Sequence, residues 1–372
     1  MTGAEELADL LGLTDWREPM LAVPREKFVP ARGIASPECA ASYLIDRDTA
    51  PNDWLGAVYS DASITTQRDD GKTDPLDITG LPTSSISAPG VAYGFLDLLA
   101  PRDHDRVLEI GTGTGYSAAV LSARLGAENV TSIEIDPDVA KQAAVNLEAA
   151  GYAPGLIVGD GANGYPEAGP YDRVHVTAGT GQIPYAWIEQ TRPGGIIVAP
   201  WQPHRGHGLQ LRLTVVGESA HGRFHGAATY MMLRSHRAEA QWKPHHHEEA
   251  DVTMTRLDPR TVASAGPGAD LALTGRIPGM WYFGQTDSNG SFSLLLFEVG
   301  DPDGSWAACD YEPGKDEFEV TQYGRRRLWD EAAEAFEWWV RAGAPASDRF
   351  GLTVTSEGEQ LWLDEPTRCL TS

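Results

Sequence analysis

The order of apolar and polar residues divides the chain into three regimes. Between residues 106 and 201, short apolar runs alternate with longer stretches of helical period. The spacing predicts strands over 106–110, 130–135, 155–158, 173–176 and 195–200, and helices over 116–125, 137–150 and 184–190. Strands that alternate with helices build βα units, hence a parallel sheet covered on both faces. Pro137 suits a first helical turn and Gly151 a helix stop. Two more strands are expected over 209–216 and 223–233, the second carrying Met231 and Met232 late in its run.

On either side the pattern is less regular. Residues 1–100 read as mixed and loop-rich, with a short helix over 5–13 and a turn-like segment between Pro24 and Pro30. A long polar loop or hairpin is expected over 60–82, and a helix over 90–99 entered through Ser87-Ala88-Pro89. Long loops in compact domains are often functional or mobile. The pattern breaks at 236–251 and again at 258–270, which is rich in Pro, Gly and Ala. Beyond lie short strands over 280–283, 292–299, 305–310 and 317–322, a helix over 328–341, and a final hairpin around Glu357-Gly358. In that helix Leu328, Ala332, Ala335, Phe336, Trp339 and Val340 share one face. The expected organisation is an N-terminal substrate-side segment (1–100), a Rossmann-like core (101–237), a linker (238–270) and an α+β accessory domain (271–372), a candidate for peptide recognition.

Charge and composition narrow the class. The net charge of −24 argues against nucleic acid, whose phosphates are met by lysine and arginine. The one basic cluster, Arg325-Arg326-Arg327, reads as a turn that is solvated or ion-paired. No apolar run approaches the roughly 20 residues that span a bilayer, so no membrane partner is expected. Glu5, Glu6, Asp9, Asp15 and Glu18 argue against a secretory leader. Cys39, Cys309 and Cys369 are scattered and odd in number, which suggests reduced thiols in a cytoplasmic protein with no metal framework. His245-His246-His247 reads as solvated linker, His204 and His207 as either loop residues or lining of an active-site mouth, and Trp338 as a peptide-contact candidate.

The chemistry-bearing segment is Val107-Leu-Glu-Ile-Gly-Thr-Gly-Thr-Gly-Tyr116. Its alternating glycines, between a strand and a helix, let the backbone turn tightly and approach a ligand. The spacing Glu-x-Gly-x-Gly-x-Gly differs from the dinucleotide fingerprint and points to S-adenosylmethionine. Ile133-Glu134-Ile135-Asp136 ends the next strand, where a carboxylate can accept both ribose hydroxyls. Gly159-Asp160-Gly161 ends the third, where an acid can take the adenine amino group. The candidate cofactor residues are Glu109, Gly111, Thr112, Gly113, Gly115, Tyr116, Glu134, Ile135, Asp160 and Gly161. The expected fold is α/β, a class I S-adenosylmethionine-dependent methyltransferase with a C-terminal α+β domain.

The chain resembles protein-L-isoaspartate O-methyltransferases at several separate points. These are residues 23–30 (Val-Pro-Arg-Glu-Lys-Phe-Val-Pro), Ser85-Ile86-Ser87-Ala88-Pro89, residues 171–179 (Tyr-Asp-Arg-Val-His-Val-Thr-Ala-Gly), Ile183-Pro184 and Arg192-Pro193-Gly194-Gly195. The resemblance covers about residues 20–200 and implies O-methylation of a carboxylate in a peptide or protein. A carboxylate is already ionised near neutrality, so the task is alignment and exclusion of water. Ser87, with Ser85 second, is the candidate to orient the acceptor oxygen. The plainer role for either serine is to cap the following helix.

Two departures refine the expectation: a longer segment between Pro30 and Ser85, and a whole region after the sheet. Residues 59–71 and 322–331 look like the actinobacterial homologues associated with lanthipeptide and graspetide biosynthesis. That resemblance implies methylation of an aspartate in a ribosomally made, cyclised peptide, with attack by the next backbone amide giving aspartimide and often isoaspartate. The alternative is general repair of isoaspartyl proteins.

Overall fold

The computed structural model describes residues 3–203, 208–237, 245–301 and 303–370. The N-terminal region runs α1 (Gly3–Leu10), α2 (Arg17–Ala22), β1 (Arg32–Pro37), β2 (Tyr43–Asp46), α3 (Pro51–Val58), β3 (Ala62–Arg68), β4 (Pro82–Ile86) and α4 (Pro89–Leu99). Its four strands form an antiparallel sheet in the order β2-β1-β3-β4. Sequence reasoning expected loops for β1 and β2. Strand β1 carries Gly, Ser and Pro and β2 has only four residues, so their period of two is faint. The polar stretch after Ser60 is a hairpin, β3 pairing with β4 through an irregular register.

The central region follows the expected βα alternation closely. It contains β5 (Val107–Ile110), α5 (Tyr116–Leu125), β6 (Val130–Glu134), α6 (Pro137–Ala150), β7 (Gly155–Val158), β8 (Tyr171–Val176), α7 (Tyr185–Glu189), β9 (Thr191–Trp201), β10 (Leu209–Val216) and β11 (Ser219–Ala227). Strands β7-β6-β5-β8-β9 lie parallel, and β10 and β11 continue the sheet antiparallel. The expected strand over 223–233 ends early, and residues beyond Ala227 turn back toward the parallel half. There Gly179 donates to Met231 and accepts from Leu233. Helix α6 shows why the boundaries were legible: Asp136 caps two backbone amides, Pro137 opens the helix, and Gly151 at φ 86° closes it.

Alternate residues of each strand feed two cores. Val107, Val130, Ile196 and Val198 face α4, α5 and the N-terminal helices. Leu108, Ile110, Val174, Val176 and Ile197 face α7 and the C-terminal elements. This is the doubly covered sheet that the apolar runs require.

The C-terminal region runs β12 (Asp251–Thr255), α8 (Pro259–Ala263), α9 (Pro267–Arg276), β13 (Met280–Thr286), β14 (Phe292–Glu298), β15 (Trp306–Tyr311), β16 (Phe318–Tyr323), α10 (Leu328–Arg341), β17 (Phe350–Thr355) and β18 (Gly358–Leu363). Strands β12 to β16 form a five-stranded antiparallel sheet in the order β12-β16-β15-β14-β13, packed on α8, α9 and α10. Two expected boundaries give way. The Pro-rich stretch 258–270 is not linker: Pro259 and Pro267 are first-turn prolines that start helices, and Asp258 caps one of them. Helix α9 then joins both cores, with Leu271 and Ala272 against the main sheet and Leu273 and Ile277 against the smaller one.

The hairpin β17–β18 does not belong with the small sheet. It pairs with β11, extending the main sheet to nine strands in the order β18-β17-β11-β10-β9-β8-β5-β6-β7. Residues 271–372 are thus shared between two sheets and do not form one separate unit. On α10, Leu328, Ala332, Ala335 and Phe336 are buried as expected, while Val340 is exposed. Trp338 packs against the main core with the Arg276 guanidinium 5.0 Å from its ring, which leaves it a poor contact platform.

Candidate active site

A cleft of about 990 Å³, its open mouth included, lies at the carboxyl ends of β5, β6 and β7, where open α/β sheets place their ligands. Its floor is the glycine turn. Gly111 sits at φ 94°, and a Cβ there would stand 2.6 Å from Thr177 Oγ1. Gly113, at φ 55°, would bring a Cβ to 3.4 Å from the Ser85 carbonyl, so the turn packs directly under the serine strand. Each position needs a residue without a side chain.

The acids expected at the strand ends divide in role. Glu134 borders the cleft and accepts the Gly113 amide at 2.9 Å on one oxygen and the Asp136 amide at 3.1 Å on the other. Each oxygen keeps a second lone pair, which suits a ribose diol. Burial raises this carboxyl above its usual range, and those two amide bonds oppose the shift. Asp160 also lines the cleft, accepting the Ala162 amide at 3.0 Å and the Ser235 hydroxyl at 3.2 Å. Thr112, Tyr116, Ile135 and Gly161 also line the cleft.

Glu109 and Gly115 are not on the wall. In the register of β8, β5 and β6, Glu109 stands between His175 and Ser132. Glu109 is fully buried and accepts the Ser132 hydroxyl at 2.6 Å, with His175 3.6 Å away. It supports the turn from below, because a strand alternates its faces and this one points away from the ligand side. Gly115 precedes α5 at φ 89°, where a Cβ would meet Leu147 at 3.1 Å. Its constraint is the packing of α5 on α6.

Ser85 and Ser87 line the same cleft. Neither caps α4: its N-cap is Ala88, without a side-chain bond, and Asp61 accepts the Gly90 amide at 2.7 Å. The capping role is already filled, and Ser87 is left with its hydroxyl at the cleft. It hydrogen-bonds Tyr230, whose hydroxyl burial pushes up to about 12 even though the Ser87 bond lowers it. Tyr230 therefore stays protonated and can donate.

Several lining residues were not read from the sequence: Gln67, Thr177, Tyr230, Met231, Arg234 and Arg237 among them. The last two build a charged bridge. Arg234 pairs with Asp136 at 2.6 Å and Asp70 at 3.1 Å, and Arg237 pairs with Asp70 at 2.8 Å. Gln67 adds a bond to Asp136 at 3.0 Å. Burial alone would raise the Asp136 carboxyl, but the bonds from Gln67, Arg234 and the Val139 and Asp138 amides hold it at about 2. The bridge ties the β3–β4 hairpin to the segment after β11 and to the end of β6. Of the outlying candidates, His246 and His247 lie against the rings of Tyr323 and Trp306. Arg326 and Arg327 are ion-paired with Glu298, Glu331 and Asp251. His204 and His207 lie outside the described residues.

A βα sheet of this order, with a glycine turn under the cleft and acids after successive strands, defines the class I S-adenosylmethionine-dependent methyltransferase fold. A family model, Protein-L-isoaspartate(D-aspartate) O-methyltransferase (PCMT), matches residues 41–225. The chain is 38% identical over 164 residues to a protein-L-isoaspartate O-methyltransferase of Opitutus terrae, covering 43% of this chain and 70% of that one. With the Methanopyrus kandleri enzyme of the same name it shares 35% over 186 residues, covering 49% of this chain and 67% of that one. The chain belongs to the protein-L-isoaspartate O-methyltransferase family. It spans less of other curated relatives, 62% of the Ignicoccus hospitalis protein at 42% identity over 131 residues, which are 35% of this chain. A solved protein-L-isoaspartate O-methyltransferase structure, 20% identical, superposes with a TM-score of 0.55 over 97% of this chain and 100% of its own. The fold likeness thus extends past residue 225 into the C-terminal strands. No helix among the described residues is long and apolar enough to cross a membrane.

Proposed function

We propose that this protein transfers a methyl group from S-adenosylmethionine to a carboxylate of an isoaspartyl residue in a peptide or protein. The observation that carries this reading is that one cleft is lined by the glycine turn, Glu134 and Asp160 together with Ser87 and its partner Tyr230. Gly111, Gly113, Glu134 and Asp160 would hold the cofactor, which supplies an electrophilic methyl on a sulfonium when bound. Ser87 and Tyr230 would donate to the acceptor carboxylate and fix the direction of its free oxygen. No side chain has to remove a proton, because the acceptor is ionised at neutral pH. Rate enhancement then comes from alignment and from exclusion of water by Tyr230 and Met231.

A narrower substrate is a second reading: an aspartate in a ribosomally made, cyclised peptide. It draws on the resemblance of residues 59–71 and 322–331, and on the place of the lengthened segment, whose Gln67 and Thr83 line the cleft. Incubation with S-adenosylmethionine and matched isoaspartyl, aspartyl and asparaginyl peptides, each linear and cyclised, tests both. S-adenosylhomocysteine release with the isoaspartyl peptide supports the leading reading. Turnover confined to a cyclised aspartyl peptide favours the second, and none with any acid overturns both.

A further inference from the structure

Arg25, in the segment that follows α2, is fully buried, yet among the described residues no carboxylate pairs with it. Its guanidinium donates to three backbone carbonyls: Val58, Ala62 at 3.3 Å and Ser87 at 2.9 Å. It lies 5.6 Å from the centre of the Tyr116 ring, on the cleft wall, and its Nε has no partner. Two neighbouring acids accept from neutral donors, Asp61 from the Gly90 amide and Glu26 from the Tyr59 hydroxyl, and the Asp61 charge favours the protonated guanidinium only from beyond ion-pair distance. Arginine does not shed its proton in a protein, so a whole positive charge is held out of water behind Ser87. Such a charge is unfavourable unless something offsets it.

We propose that the buried charge of Arg25 selects an ionised carboxylate at Ser87 and acts on its binding, as a positioning residue. The inference rests on the reading above, that the acceptor is a carboxylate held by the Ser87 hydroxyl. An acid so held lies on the order of 7 Å from the guanidinium, given ordinary hydrogen-bond lengths. At an effective dielectric of about 20, attraction over that distance favours a charged acceptor over a neutral isostere by up to about fiftyfold.

The charge also dictates where the effect falls. A carboxylate oxygen forms the new C–O bond as the S–C bond of the sulfonium donor breaks. The electron pair stays on sulfur, and the products are a neutral ester and a neutral thioether. The acceptor's negative charge fades on the way to the transition state, so a fixed cation stabilises bound substrate at least as much as that state. Removing the charge therefore raises KM and leaves kcat equal or higher.

The test compares the wild type with Arg25→Met and Arg25→Lys. Kinetics on an isoaspartyl peptide are joined to equilibrium binding of that peptide and its amide isostere to protein saturated with S-adenosylhomocysteine. In Arg25→Met, KM should rise at least tenfold with kcat undiminished, and the preference for acid over amide should collapse. Arg25→Lys, which keeps the charge, should retain the preference. A Met variant that loses kcat with KM unchanged overturns the inference and makes Arg25 a brace for the Ser87 backbone. If the Met variant fails to bind S-adenosylhomocysteine, the Lys variant decides: a retained preference supports the inference and a lost one overturns it. A wild type that neither methylates nor prefers acids refutes the function itself, a result distinct from a wild type that does both while Arg25→Met does too.

Discussion

A single nitrogen of Arg237 reaches both oxygens of Asp70, at 2.8 and 2.9 Å, joining positions that the sequence separates widely. Arg234 shares the same carboxylate and passes a second bond to Asp136, so the β3–β4 hairpin is clasped over one side of the cleft. Exposed pairs contribute little singly, but a shared network constrains geometry more than its members do alone. Asp70→Asn removes the central charge. S-adenosylhomocysteine should then dissociate about fivefold faster in stopped-flow measurements, with a steeper loss of affinity in salt. An unchanged dissociation rate would show that the clasp does not gate the cofactor.

Ser87 carries a sharper expectation. Ser87→Ala should lower kcat/KM for the acceptor peptide by about a hundredfold, the scale of a lost alignment. Calorimetric affinity for S-adenosylhomocysteine should stay within twofold, since the hydroxyl bonds Tyr230 and not the cofactor wall. Equal loss of both quantities would assign Ser87 a structural role.

Gly111→Ala places a Cβ against Thr177 Oγ1 in a backbone conformation at φ 94°. Left-handed backbone costs an L-residue roughly 1–2 kcal/mol before any collision. Cofactor affinity should fall at least tenfold, measured by titration, while circular dichroism shows the sheet intact. Undiminished affinity would remove the turn from the binding site.

Glu359, on β18, reaches across the fold to accept the Ile183 amide and, at 3.1 Å, the Trp201 indole. Burial pushes its carboxyl up to about 7, and those two bonds oppose the shift. An acid whose folded pKa is raised holds its proton in the fold and loses it unfolded. Stability should therefore fall as pH rises from about 4.5 to about 7 and level off above, by on the order of 3 kcal/mol. Glu359→Gln should flatten that slope in denaturant titrations at successive pH values. A slope that survives the substitution means another group is responsible.

Much of this was legible in the sequence because local signals agreed with the fold. Helices 116–125 and 137–150 begin and end where glycines, Asp136 and Pro137 place them, and Glu134, Asp160 and Ser87 reach the cleft from predicted segments. The misses have physical causes. Glu109 sits beside the motif glycines, but strand alternation turns it inward onto Ser132. Arg234 and Arg237 look like ordinary charges after a strand, since their partners Asp70 and Asp136 are set by tertiary folding alone. Pro259 and Pro267 resembled breaks because a first-turn proline and a loop proline look alike until the helix behind them is seen.

The pairing of β17 with β11 bears on how the molecule is made. During synthesis β11 emerges long before its partner, and the whole five-stranded sheet must be produced in between. Until then β11 presents an open row of backbone donors and acceptors, a template for pairing with another chain. The nascent protein is most prone to aggregate in that interval, and its yield should depend more on chaperone supply and growth temperature than on the stability of the finished fold.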